Sequence, residues 1–179
     1  MTTSRLKFSN PIIKDEIEIQ SNSMGELVFT TLVKPGGKQA GVHYHTKITE
    51  VFTIISGELN VNVNKVRMIL KKGQTLVIRP FDRHQFLNES SKDVLFKVQV
   101  TAAGEMQMGL QIIYGLANDK KVFKNGLPKN SYQAAIAIKM MDAFIPGVPL
   151  IIQKIGINVI AFIGSVIGVK KRLIARYCS

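Results

Sequence analysis

Apolar and polar residues alternate with a period of two through most of the first hundred positions. Leu59, Val61 and Val63 alternate with Asn60, Asn62 and Asn64, the pattern of a half-buried strand with one wet face. The same period runs through residues 13–19, where acids fill alternate places, and through 26–33. It continues in Val66, Met68 and Leu70, in Leu76 and Ile78, and in Val94, Phe96, Val98 and Val100. Turn chemistry separates the runs: Asn10-Pro11, a loop over 21–25, Pro35-Gly36-Gly37, a hairpin at Ser56-Gly57-Glu58, Lys72-Gly73-Gln74, and residues 88–91. Residues 1–9 read as a loose arm. His84 opens a short strand with Phe86 on its face. Short strands at this spacing predict an antiparallel barrel or sandwich. Past Thr101 the period becomes helical. A helix is expected over 106–116, a polar loop over 118–130, and a helix capped by Ser131 from Tyr132 to about Phe144. Pro146-Gly147-Val148-Pro149 stops it, and a last helix runs from near Pro149 to about Arg176. The chain is thus expected to be mostly β, with a barrel over 1–101 and a helical extension over 102–179.

All three histidines lie in two glycine-bounded runs. The first is Gly37, His43, His45, Glu50 and Gly57; the second is Gly73, His84 and Asn88. Side chains repeat every two residues on a strand, so His43 and His45 present both imidazoles to one face, while Tyr44 and Thr46 point away. Glu50 follows at an odd offset. A turn through 46–49 would reset the parity and return it to the histidine side. Glu50, Phe52 and Ile54 then share one face and Val51, Thr53 and Ile55 the other; both are largely apolar, as for a strand covered on both sides.

These runs resemble the two motifs of the cupin family, over roughly residues 36–100. The first motif's glycines, His-x-His pair and glutamate fall at Gly37, His43, His45, Glu50 and Gly57; Gly73, His84 and Asn88 fall in step with the second. Arg79 stands where the second motif has proline, with Pro80 next to it, and Phe81 stands where it has a second glycine, which implies a reshaped loop beside His84. The resemblance implies a double-stranded β-helix, or jelly-roll barrel, a homodimer formed through its strands, and a metal held by His43, His45, Glu50 and His84. The opening stretch also looks like small bacterial cupins of unassigned activity that continue into C-terminal helices. Three imidazoles and a carboxylate suit one divalent Mn, Fe, Co, Ni, Cu or Zn ion, and the lack of thiolate argues against a structural zinc cluster. An octahedral ion would keep two positions for substrate, water or oxygen. The family includes dioxygenases, isomerases, decarboxylases and proteins without catalysis, so no single reaction is implied. Metal-assisted chemistry on a small molecule, oxygenase- or isomerase-like, stands beside a non-catalytic binding or sensor module. Phe52, Ile54 and Phe86 are either pocket wall or plain core. Arg79 either meets an anionic ligand or is solvated. Asn88 either supports the ligands from behind or shapes a turn. No general base beyond Glu50 or a metal-bound hydroxide can be named.

Charge and the chain end add a second theme. The net charge is +12, but no zinc finger, no aromatic RNA-binding motif and no sustained basic helix accompanies it, so no nucleic acid partner is expected. The single cysteine, Cys178, excludes an intrachain disulfide. The opening residues carry no apolar segment with a cleavage site, and a cytoplasmic location is expected. Residues 149–169 are nearly all apolar and contain no acid. On an ideal helix Lys154, Asn158, Ser165, Arg172 and Arg176 fall within about 40° of one another. Such a rod either packs on the barrel or a second copy, or touches a membrane through 149–176. In the membrane it lies in the interface with Lys170, Lys171, Arg172 and Arg176 toward anionic lipid, or spans as a C-terminal anchor with its basic flank at the inner face.

Overall fold

The computed structural model describes residues 6–178. Its strands are β1 (Lys7–Asn10), β2 (Asp15–Ser23), β3 (Glu26–Val33), β4 (Tyr44–His45), β5 (Thr49–Ser56), β6 (Glu58–Val63), β7 (Val66–Lys71), β8 (Thr75–Ile78), β9 (His84–Leu87), β10 (Val94–Thr101) and β11 (Ala143–Phe144). The helices are α1 (Met106–Asn118), α2 (Ser131–Met140), α3 (Leu150–Val166) and α4 (Val169–Tyr177). Six strands form one antiparallel sheet in the order β1-β2-β3-β10-β5-β8, three form a second in the order β7-β6-β9, and β4 pairs with β11. This is a jelly-roll arrangement followed by helices, with more strand than helix. Alternation explains where the core sits. Leu27, Phe29 and Val33 on β3, Val94, Phe96, Val98 and Val100 on β10, and Leu59 and Val61 on β6 are all buried between the sheets.

Several local expectations are corrected. Residues 7–10 of the supposed arm are strand β1, paired with β2; residues 1–5 lie outside the described ones. Strand β2 runs on to Ser23 past a bulge at Ile19/Ser21, and the chain turns only at Met24-Gly25. Ser56-Gly57-Glu58 is not a hairpin: β5 pairs with β10 and β8, whereas β6 pairs with β7 and β9. Gly57 instead carries the chain from one sheet to the other, at φ +82°, with a Cβ there meeting the Asp93 carbonyl at 2.8 Å. Gly57→Ala therefore combines left-handed strain with a backbone clash, and we expect it to cost about 2 kcal/mol or more, read as a lower urea midpoint. The real hairpin is β6–β7. Asn64 and Lys65 both have positive φ there, the twist a two-residue turn needs, but unbroken alternation hid it. Strand β5 is covered on one face only, since Ile55 is exposed on the other.

The extension differs more. Helix α2 is capped by Asn130, not Ser131: its Oδ1 accepts from the Tyr132 and Gln133 amides. It stops at Met140, and β11 occupies residues that the sequence assigned to helix. The single last helix is two, bent by 80° at Gly168, whose φ of +78° ends α3. The bend splits the polar stripe between two directions. Helix α4 folds back, burying Val169 and Leu173 beside α1 and α2, while Asp119 accepts from Tyr177 and pairs with Arg176. Helix α3 packs on α2 through Ala161 and Gly164 but leaves Ile151, Ile152, Ile155, Val159, Phe162 and Val166 exposed. Among the described residues no single helix is long and apolar enough to cross a membrane.

Candidate metal centre

The two sequence runs meet backbone to backbone. The His43 amide donates to the His84 carbonyl at 3.1 Å and the His84 amide to that of His43 at 2.8 Å. The turn after β4 restores the parity of Glu50, which is buried with Phe52 and Ile54. The ring centroids of His43, His45 and His84 lie 4.4–5.4 Å apart, and one nitrogen from each falls within 4.8 Å of the others. Glu50 Oε2 is 2.9 Å from His84 Nε2 and 3.7 Å from His45 Nε2.

Each imidazole has its Nδ1 on a backbone carbonyl: His43 on Gly41, His45 on Met141, and His84 on Asp82, all at 3.0 Å. A carbonyl only accepts, so Nδ1 carries the proton, and Nε2 of a neutral ring is left as a lone pair. His45 Nε2, His84 Nε2 and Glu50 Oε2 are buried and no donor reaches them. Lone pairs converging on a carboxylate oxygen repel unless a cation, either a proton or a metal ion, sits among them. The donor set therefore fits a divalent transition metal. The electrostatics agree. Surrounding protein, with the charges of His84 and His45, pushes His43 down to about 3. Burial alone would raise Glu50, but N–H bonds and charge from His45 and His84, where those rings carry the intervening proton, hold it below the usual carboxylate range. Burial opposes protonation of His45, yet the Glu50 carboxylate lifts it above its ordinary value.

The cluster opens on a cavity of about 220 Å³. His43, His45 and Glu50 line one part; Phe29, Phe52, Phe86 and Val98 line the barrel side; Met106, Leu110 and Ile113 of α1 and Phe144 and Ile145 after α2 close it. Of the other residues singled out in the sequence, Phe52 and Phe86 reach the cavity. Ile54 belongs to the core and not to the cavity wall. Arg79 is exposed, its amide donating to Asp82. Asn88 is a loop clamp: it donates to the Val33 and Lys92 carbonyls and accepts from Ser90. Tyr44 turns away from the cavity and packs against Phe81 and Phe144.

Residues 29–100 match the family model of the cupin domain. Over that stretch the chain carries a cupin domain. Its fold is similar to that of a sugar phosphate isomerase from a cupin superfamily, from Silicibacter pomeroyi, with TM-score 0.50 and 18% identity over 55% of this chain and 71% of that one. It is equally similar to an RmlC-like cupin from Shewanella frigidimarina, with TM-score 0.50 and 16% identity over 57% of this chain and 88% of that one. No curated protein matches the sequence.

The helical extension beyond the cupin domain completes the site. Asp142, at the end of α2, accepts from the Thr46 amide at 2.6 Å, the Lys47 amide at 2.9 Å and the Thr46 hydroxyl, so it locks the turn that returns Glu50 to the histidines. The carbonyls of Met141 and Asp142 also fix the His45 ring. No pattern in the sequence pointed to Asp142, because its partners lie about a hundred residues away. Phe81, standing for the motif glycine, still adopts a left-handed φ of +71° and donates its amide to His45, so the loop keeps a glycine-like path despite a bulky residue. Asp15 was also missed, although it is the one acid on the Ile13, Ile17, Ile19 side of its strand. It is buried on the cavity wall against Tyr114.

Proposed function

We propose that this cupin domain holds one divalent transition metal on His43, His45, Glu50 and His84 and acts on a small, largely apolar molecule by oxygenase- or isomerase-like chemistry. The observation that carries the reading is the convergence of buried, donorless nitrogen and oxygen atoms at the edge of an apolar cavity. A bound ion would serve there as a Lewis acid. The chain's own contribution is to present Nε2 of each ring, with Nδ1 tied to a carbonyl, and to keep Glu50 ionised beside them. Phe52, Phe86 and Phe144 exclude water, which strengthens every charge interaction in the site. No lysine or arginine is among the described lining residues, so apart from the proposed ion a phosphate would meet no cationic side chain, and an uncharged ligand fits better.

The test is elemental analysis of protein purified without a chelating tag, followed by titration with manganese, iron, nickel and zinc. Near one equivalent is expected, with most of it lost in His45→Ala. Protein that stays metal-free under every condition would remove the basis of the proposal. Asp142→Ala, which touches no ligand directly through its side chain, should weaken metal binding about tenfold by freeing the turn before Glu50.

A second reading concerns where the protein works. We infer that the exposed apolar face of α3 lies on an anionic membrane surface, at the inner face of the membrane. Phe162 is 67% exposed and Val166 70%, a continuous greasy face rather than scattered residues. No acid follows Asp142, while Lys154, Lys170, Lys171 and Arg172 do. Full-length protein should sediment with vesicles of phosphatidylcholine mixed with phosphatidylglycerol. It should bind much less to phosphatidylcholine alone, and Phe162→Asp should release it. Vesicle-independent dimerisation abolished by the same substitution would assign the face to a second copy instead, and the chain would then work as a homodimer.

A further inference from the structure

The cavity has a second polar wall that the metal site does not use. Asp15 opens β2 on its inward side, and Tyr114 projects from α1; both line the cavity. Tyr114 donates to Asp15 Oδ2 at 2.5 Å. Asp15 is 5% exposed, and its other oxygen, Oδ1, has no hydrogen-bond partner among the described residues. A buried carboxylate oxygen without a donor is costly to keep. Burial pushes this carboxyl up to about 7 even though Tyr114 acts the other way. An alanine-like packing residue would avoid that cost, so the acid calls for a function or a partner.

Register places this pair far from the histidines. Glu50 lies in the row of Val100 and Leu27, and Asp15 in the row of Val33. On β3 those rows are six residues apart, roughly 20 Å along the strand. Between them the wall is apolar except for the buried Thr31 of β3: Ile17, Phe29, Val98, Leu110 and Ile113. Asn10, the register partner of Asp15, is also buried and keeps its Nδ2 without an acceptor, its Oδ1 being taken by the Ile12 and Ile13 amides. Asn10 does not line the cavity, so a ligand there would meet the free acceptor Asp15 Oδ1, which calls for a donor such as a hydroxyl.

We propose that Asp15 and Tyr114 form a ligand-recognition site for the hydroxyl group of an elongated, otherwise apolar molecule, the hydroxyl donating to Asp15 Oδ1. This rests on the reading of the cavity as the ligand site and adds the ligand's second anchor. Asp15 is here a positioning residue at the end remote from the metal.

The experiment compares 1-octanol with its isomer methyl heptyl ether, which has an acceptor but no donor, by calorimetric titration of the full-length protein at about pH 9, above the value to which burial raises the Asp15 carboxyl. The wild type is expected to favour the alcohol about tenfold or more, the usual worth of a hydrogen bond to a buried charge. In Asp15→Asn the amide keeps Tyr114 as donor to its oxygen and turns an N–H toward the ligand. That N–H serves either probe, so the preference falls to near one while metal content stays unchanged. In the wild type the Asp15 carboxyl carbon resonance should move with the alcohol and not with the ether, a readout that stands even where the variant fails to fold. Equal binding of both probes by the wild type would overturn the proposal, the orphan oxygen then holding only a structural water, and would leave the cavity reading intact. A preference that survives in Asp15→Asn also overturns it. Failure of both probes to bind overturns the cavity reading and this one with it.

Discussion

His84→Ala is expected to weaken zinc or manganese binding by at least a hundredfold and to destabilise the metal-free protein by about 3 kcal/mol, the cost of the void left by a large enclosed side chain. His84 is the most enclosed member of the cluster at 0% exposure, and its Nε2 lies nearest the Glu50 carboxylate. Removing the ring takes away a ligand and leaves Glu50 with His45 alone, in a space now holding a void. Glu50→Gln separates the two effects. Glutamine keeps the shape and offers an N–H to His84 Nε2, so metal binding should fall while stability in urea is kept or rises. The pair of variants is measured by metal titration and by denaturation with chelator present. If His84→Ala bound metal as tightly as the wild type, the three-histidine assignment would be wrong.

Asp15→Asn should stabilise the protein by a few kcal/mol above neutral pH and flatten its stability profile between about pH 4 and about pH 7. The direction follows from linkage. Burial raises the Asp15 carboxyl from its ordinary 3.8 to about 7 in the folded state. Over that interval the folded chain holds a proton that the unfolded chain has lost. The wild type is therefore most stable with respect to this group below the unfolded value, and the advantage drains away as pH climbs through the folded one. At roughly 1.4 kcal/mol per unit, the swing reaches about 4 kcal/mol at most. Asparagine still accepts from Tyr114 and cannot ionise, so the slope should vanish. Thermal melts across this range decide it. Identical pH profiles for the two proteins would mean that Asp15 is well solvated, contrary to its burial. Where the variant gains stability and loses discrimination between alcohol and ether, the acid is retained at a cost for the sake of recognition.

The barrel was legible because strand periodicity and burial are the same information. Residues 26–33 and 94–100 alternate, and those alternations became the inward faces of β3 and β10 with their bounds almost unchanged. The candidate ligands were legible for a similar reason. Two histidines at strand spacing must share a face, and a turn was the only local way to bring Glu50 back to it. What failed was pairing. Ser56-Gly57-Glu58 has the composition of a hairpin, but whether a glycine turn joins neighbours in one sheet or crosses between two depends on partners far along the chain. Gly168 in a long apolar run gave no local sign of an 80° bend, since the bend is stabilised by what α4 buries beyond it.

By itself, then, the amino-acid sequence determined the β-rich class, the facing of the histidines and the apolar character of the chain end, all of which follow from side-chain period and local turn chemistry. Only the tertiary structure decided that Asp142 locks the turn before Glu50, that α1 and β11 wall the cavity, and that Asp15 meets Tyr114. Those contacts join residues about a hundred positions apart. Nothing in local conformational preference encodes them; they form because packing the extension over the mouth of the barrel buries surface that both halves would otherwise expose.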